Sequence, residues 1–192
     1  MPRDVRVRRG ARLKPKVETL ANGWTWWRIA ERDWSDPLDP EFARVHGGRW
    51  NPPDSFATLY LNEDQVTARL NLRRFIADWP YEPEDLRPDT GPLLVGASLP
   101  RDQDVADAHT PAGVAALELP PTYPFDRAGR LIDHDRCQAI GQHVKDANLR
   151  GVRARSAQTR DGAGRELAWF PATARSRAQM VKRLRFDAWY WG

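Results

Sequence analysis

The 192-residue chain holds a single cysteine, Cys137. No internal disulfide can form, which fits a reducing, cytoplasmic setting. Cys137 lies in a polar helical pattern and reads as a small filler rather than a nucleophile. No apolar run of about 18 residues exists, so no membrane-spanning helix is expected. The N-terminus is basic, but no apolar stretch comes after it, so it does not read as a secretory signal. His46, His109, His134 and His143 do not pair with one another or with Cys137 at metal-ligand spacing, and no metal is expected. A Walker-A loop is missing, which removes P-loop nucleotide hydrolysis. So is a G-x-G-x-x-G opening a helix, which removes a Rossmann dinucleotide site. There is no G-x-S-x-G elbow of the α/β-hydrolase kind.

What is present is rich in rings. Nine Trp stand in the chain, and such rings need shaped, buried sites, so the central chain is expected to fold. The length suits one domain. Residues 1–22 read as a basic, flexible leader, with the domain over residues 23–192. Met1–Lys16 carries seven basic side chains against Asp4 alone, a net +6, while the whole chain carries +4. The remainder is therefore mildly acidic, and nucleic acid is not the expected partner of the body.

Element by element, Trp24–Ile29 reads as a strand and Asp33–Pro40 as a turn-rich loop. Gly47 and Gly48 force a turn, and Pro52 and Pro53 keep the next stretch extended. Thr58–Leu61 reads as a short strand. Asn62 looks like a helix N-cap with Gln65 completing a capping box, and Val66, Leu70, Ile76 and Trp79 as the apolar face of that helix. Leu93–Leu99 is a buried strand, a short helix falls near 111–117, and His134–Asn148 is helical. Gly151–Ser156 and Glu166–Phe170 are strands, and Ala178–Trp191 suits a final strand pair. Strands and helices mix without βαβ alternation, which predicts an α+β fold.

The chemistry-bearing residues gather on the Gly/Pro-rich loop and the strand and helix after it: Arg49, Trp50, Asn51, Tyr60 and Asn71. Arg suits bidentate contact with phosphate. Tyr60 can stack on a flat ring and offer its hydroxyl. A loop feeding a strand feeding a helix would gather these groups, and suits a nucleotide with a pyrophosphate and a planar base. The alternative is that Trp50 is core and Arg49 a structural ion pair.

The string Gly47-Gly48-Arg49-Trp50-Asn51-Pro52-Pro53, then Leu59-Tyr60-Leu61, resembles the RES domain. Trp27-Arg28-Ile29 and Asp36-Pro37-Leu38-Asp39 fit its lead-in. Gly151-Val152-Arg153, Ser156-Ala157 and Phe170-Pro171 fit its distal part. The resemblance spans about residues 24–171. It implies a single compact α+β domain similar to ADP-ribosyltransferases, and a toxin of a toxin–antitoxin pair. It implies NAD as substrate, split at the nicotinamide–ribose bond, with ADP-ribose passed to phosphate or to a protein. An Xre-like antitoxin is the implied partner. By the same resemblance Arg49 holds the NAD phosphates, with Arg28 adding a contact. Tyr60 stacks on nicotinamide or orients its ribose, and Ser156 hydrogen-bonds the substrate.

The family's Glu does not carry over: Asn71 stands in its place. Splitting a glycosidic bond builds positive charge on the ribose, which a carboxylate stabilises and an amide does not match. Late in the chain, where family members carry Asn, this sequence has Glu166. The expectation is that Asn71 and Glu166 have exchanged places and face each other across the site. Glu63 is a poorer substitute, falling in a first helical turn where acids are common caps. The competing reading is a non-catalytic, RES-like module that binds a nucleotide or a partner, with nucleic-acid contacts added by the leader and the basic stretch 175–185.

Overall fold

The computed structural model describes residues 13–159, 162–173 and 177–192. Its centre is one eight-stranded sheet in the order β1-β5-β6-β7-β3-β2-β4-β8. The strands are β1 (Val17–Thr19), β2 (Thr25–Ala30), β3 (Leu59–Asn62), β4 (Leu93–Ser98), β5 (Asp104–Ala108), β6 (Gly151–Arg155), β7 (Arg165–Trp169) and β8 (Gln179–Leu184). All neighbours are antiparallel except β5 and β6. Among the described residues, the α-helices around it are α1 (Glu41–His46), α2 (Gln65–Phe75), α3 (Pro111–Ala116) and α4 (His134–Asp146). The expected single α+β domain is what is found.

Strand β2 explains why the chain needs both faces of the sheet covered. Trp26 and Trp27 alternate to opposite sides, and both are buried. Trp26 packs with Leu59, Val95, Leu167 and Trp169. Trp27 packs with Ala68, Leu72, Leu94, Phe186 and Trp189. A third cluster joins α3 and α4 to β5, β6 and β7 through Val114, Ile140, Val144, Val152 and Ala168. Cys137 is fully buried in it, as a filler should be.

Several expectations are corrected. The end of the expected leader is part of the sheet: Val17–Thr19 pairs with β5 at the edge, while residues 1–12 lie outside the described residues. Helix α2 is capped by Asp64, whose side chain accepts from the Thr67 N–H, not by Asn62. Its buried face is Thr67, Ala68 and Leu72, continued by Ile76, and Val66 and Leu70 point outward. Val66 and Leu70 are one turn apart, but so are Ala68, Leu72 and Ile76, and the latter row meets Trp27. The final segment is not a strand pair. It is β8 and then a wide helical turn, Asp187–Trp191, whose Trp189 packs on α2. No helix among the described residues is long and apolar enough to cross a membrane.

One irregularity of the sheet makes room for a cavity. Strands β2 and β3 pair only at Trp27 and Asn62. Beyond that point the cavity wall takes residues from both strands, Arg28 and Ile29 from one and Tyr60 and Leu61 from the other.

Candidate active site

The fork between β2 and β3 opens into a cavity of about 480 Å³, closed by α1, the Gly47–Trp50 loop, α2 and the start of α4. That volume falls in the range of small-molecule sites. Arg28, Arg49, Tyr60, Asn71 and Glu166 all line it. Ser156 is not on its wall.

The loop is held from several sides. The Gly47 backbone has φ of +73°, which favours glycine. A Cβ on Gly48 would collide with the Tyr60 ring, and one on Gly141 of α4 with the Trp50 carbonyl, so both positions need the smallest residue. Gln138 of α4 donates to the Gly48 carbonyl at 2.9 Å. Asn51 is fully buried and donates to the Ala43 carbonyl at 2.6 Å, tying the loop to α1.

Tyr60 belongs to this scaffolding. Its hydroxyl accepts from the Trp50 N–H at 2.8 Å and donates to Asn51 Oδ1 at 2.8 Å. Burial pushes the phenol well above its ordinary value, so it stays protonated. The hydroxyl expected to serve a ligand is already committed to the loop, and only the ring is left for the cavity.

Arg49 is 7% exposed. Nη2 donates to the Ile132 carbonyl at 3.3 Å, and the guanidinium lies 5.7 Å from the Tyr123 ring centre. Burial opposes its charge, but Tyr123, Cys137 and Glu166 outweigh that and hold it protonated. Its buried Nη1 has no hydrogen-bond partner. Such an orphan costs about 1–3 kcal/mol or more and marks a place where a ligand or water belongs. Arg49 is thus not a structural ion pair. Arg28 packs over Trp34 and donates to the Asp39 carbonyl at 3.2 Å. Burial lowers its pKa to about 10, against the pull of Asp39 and Asp36, so it remains a cation at neutral pH.

Opposite these cations lies a polar chain. Asn62 donates to the Trp27 carbonyl at 3.1 Å and accepts from Asn71 Nδ2 at 2.6 Å. Asn71 Nδ2 also donates to Glu166 Oε1 at 2.9 Å. Ser156 Oγ donates to the same Oε1 at 2.6 Å. The expected meeting of Asn71 and Glu166 is found. Strand register makes it possible: Asn62 of β3 stands beside Glu166 of β7, and α2 brings Asn71 over both. Ser156, fully buried, sits behind Glu166 rather than on the cavity. Its expected contact with a ligand is replaced by a contact with the carboxylate. Glu63 faces elsewhere, in an ion pair with Arg153.

Residues that the sequence pattern did not single out complete the wall. Arg74 and Phe75 share the face of α2 that carries Asn71, and both line the cavity. Trp34 and Phe42 add exposed rings at its edge, and His134 stands at the first turn of α4. Among the described residues, no carboxylate pairs with Arg28, Arg49 or Arg74 in a salt bridge. The cavity therefore presents three guanidinium groups against one carboxylate.

One group of metal-suited side chains exists among the described residues: Glu18, Asp107 and His109. It does not line the cavity, and it is already neutralised by Arg153, 3.0 Å from Glu18, and Lys16, 3.4 Å from Asp107.

The family model of the RES domain matches residues 25–189. Among solved structures, the chain is similar to one in the crystal structure of the M. tuberculosis MbcT–MbcA toxin–antitoxin complex. The likeness has a TM-score of 0.68 and covers 91% of this chain and 92% of that one at 22% identity, and it is one of fold. No curated protein matches the sequence.

Proposed function

From the premise that this chain belongs to the RES-domain family, we propose that it cleaves NAD at the nicotinamide–ribose bond and passes ADP-ribose to phosphate or to a protein. The observation that carries this reading is the polarity of the cavity. Arg28, Arg49 and Arg74 stand against Glu166 alone. NAD has the matching pattern: two negative phosphates at its middle and a positive nicotinamide at one end.

In this reading the arginines take the diphosphate. The carboxylate of Glu166 lies at the ribose. Its Oε1 is fixed by Asn71 and Ser156, while Oε2 has no hydrogen-bond partner among the described residues. When the C1′–N bond breaks, the electron pair leaves with nicotinamide and positive charge grows on the ribose. A prepositioned carboxylate stabilises that charge without reorganising. An oxygen of the acceptor then bonds to C1′. Glu166 thus does the work that the family assigns to the position now held by Asn71.

By the same reading the protein is a cytoplasmic toxin, with an Xre-like antitoxin as partner. The M. tuberculosis relative of the same fold was solved with its antitoxin, which supports a protein partner here. Nucleic acid and membrane are not part of this reading, and no metal is needed.

Incubating the purified protein with NAD, with and without phosphate, tests the reading. A phosphate-dependent product names a phosphorylase, and nicotinamide release without phosphate names a hydrolase or transferase. The amide at position 71 favours a second reading, a non-catalytic nucleotide- or partner-binding module. Saturable NAD binding with no product under either condition would establish that one.

A further inference from the structure

The cavity wall holds a group that the proposed cleavage does not use. His134 is the first residue of α4 and lines the cavity with Arg49 and Arg74. Arg49 is tied to this place by its bond to the Ile132 carbonyl, two residues before His134. Its orphaned Nη1 is a buried cationic donor with nothing to donate to. Asp133 at the N-cap makes no side-chain capping bond, so it does not satisfy the first-turn N–H groups of a 13-residue helix. Helix N-termini favour anions, and here one stands beside two guanidinium groups.

Resting on the reading that the cavity takes NAD, we infer that His134, Arg49, Arg74 and the N-terminus of α4 form an oxyanion subsite that binds a phosphate group together with a proton. The reasoning is one of linkage. The charged groups around the imidazole are Arg49 from the loop, Arg74 from α2, and Asp133 and Asp135 from its own segment. Its partial burial and the two guanidinium groups outweigh the two aspartates and keep it neutral at pH 7. An anion placed between these groups reverses the local sign and raises the affinity of His134 for a proton. Reciprocity then requires the proton to raise the affinity for the anion. The exposed position of His134 at the rim leaves it open to exchange with solvent.

A phosphate here has two possible sources, the diphosphate of the dinucleotide and a free acceptor phosphate. Calorimetry on the full chain separates them. ADP-ribose and inorganic sulfate are the probes, because neither titrates between pH 5.5 and 7.5. Titrations in buffers of different ionisation enthalpy count the protons taken up. The wild-type protein is expected to take up a proton with the anion. It should bind about three- to tenfold more tightly at pH 5.5 than at pH 7.5. His134→Gln and His134→Asn, checked by circular dichroism for an intact fold, should lose the uptake and change less than about twofold over that range. Sulfate that displaces ADP-ribose assigns the subsite to the diphosphate, and sulfate that binds beside it assigns the subsite to the acceptor. Wild-type binding without proton uptake, failure of both probes to bind, or uptake retained in the His134 variants overturns the inference. NAD cleavage is scored separately. Cleavage without proton-linked binding removes the subsite alone, and proton-linked binding without cleavage removes the enzyme reading alone.

Discussion

Asn71 Nδ2 donates to Glu166 Oε1 at 2.9 Å, joining the middle of α2 to β7 across the inner wall of the cavity. The amide and the carboxylate occupy complementary places in one hydrogen-bonded chain that begins at the Trp27 carbonyl and ends at Ser156. Exchanging them keeps one negative charge at the same spot. Glu166→Gln should keep the fold and lower NAD turnover by at least about a hundredfold, the scale on which removing a prepositioned electrostatic group acts. The double exchange Asn71→Glu with Glu166→Asn should recover a large part of that loss. Single Asn71→Glu should lower turnover, because two carboxylates at hydrogen-bond distance cannot both ionise freely. Unchanged turnover in Glu166→Gln would remove Glu166 from the mechanism.

In the proposed mechanism Ser156 acts through Glu166. It is fully buried and donates at 2.6 Å to the oxygen that Asn71 also contacts. Ser156→Ala should therefore lower kcat while leaving KM for NAD nearly unchanged, by about three- to tenfold for one lost neutral-to-charged hydrogen bond. Steady-state kinetics separate this from direct substrate binding, in which KM would rise first.

Tyr60→Phe distinguishes scaffold from ligand contact. The ring survives, but the Trp50 N–H and Asn51 Oδ1 lose their shared partner. Leaving those groups unpaired costs about 1–3 kcal/mol. A domain of this size should then melt roughly 2–10 °C lower. If the hydroxyl served only the substrate, melting in the absence of NAD would not move.

Some of the site is readable from the chain and some is not, for physical reasons. The Gly47–Pro53 string announces a constrained loop because glycine and proline act locally, and Arg49 and Tyr60 lie within a few residues of it. The Asn71–Glu166 pair could be anticipated only through the resemblance, since 95 residues separate the two. Arg74 and His134 carry no local signal. They reach the cavity because α2 and α4 pack where they do. Strand β5 was hidden because Asp104–Ala108 holds few β-branched residues, and β1 because it comes after a basic run. The Val66–Leu70 row misled because periodicity fixes a helical face but not which neighbour it meets.

The surplus of positive charge in the cavity predicts a salt effect. Arg74 is exposed at the rim and has no carboxylate partner among the described residues. Its attraction for a dinucleotide is the part most open to screening. Raising ionic strength from about 0.05 to about 0.5 M should raise KM for NAD with little change in kcat. Arg74→Gln should raise KM about two- to fivefold at low salt and flatten that dependence. A KM insensitive to salt in the wild-type protein would argue that the phosphates lie elsewhere.

Acid stability should be governed away from the cavity, at Asp107. Its side chain is 2% exposed. Burial alone would push the carboxyl up. Instead the Thr110 hydroxyl and N–H and the His109 N–H all donate to it, and its pKa falls to about 2. A pKa lower in the folded than in the unfolded state means that the ionised form is favoured by folding. The stabilisation is complete above the ordinary aspartate value near about 3.9 and is lost as pH falls from there towards about 2. The urea midpoint of the wild-type protein should therefore drop across that interval. Asp107→Asn should be less stable at pH 7, because an amide cannot accept at both positions, and should show a shallower drop below about pH 4. Parallel curves for the two proteins would show that other carboxylates set the acid limit. A variant as stable as the wild type at pH 7 would show that the bonds from Thr110 and His109 do not hold β5 to the start of α3.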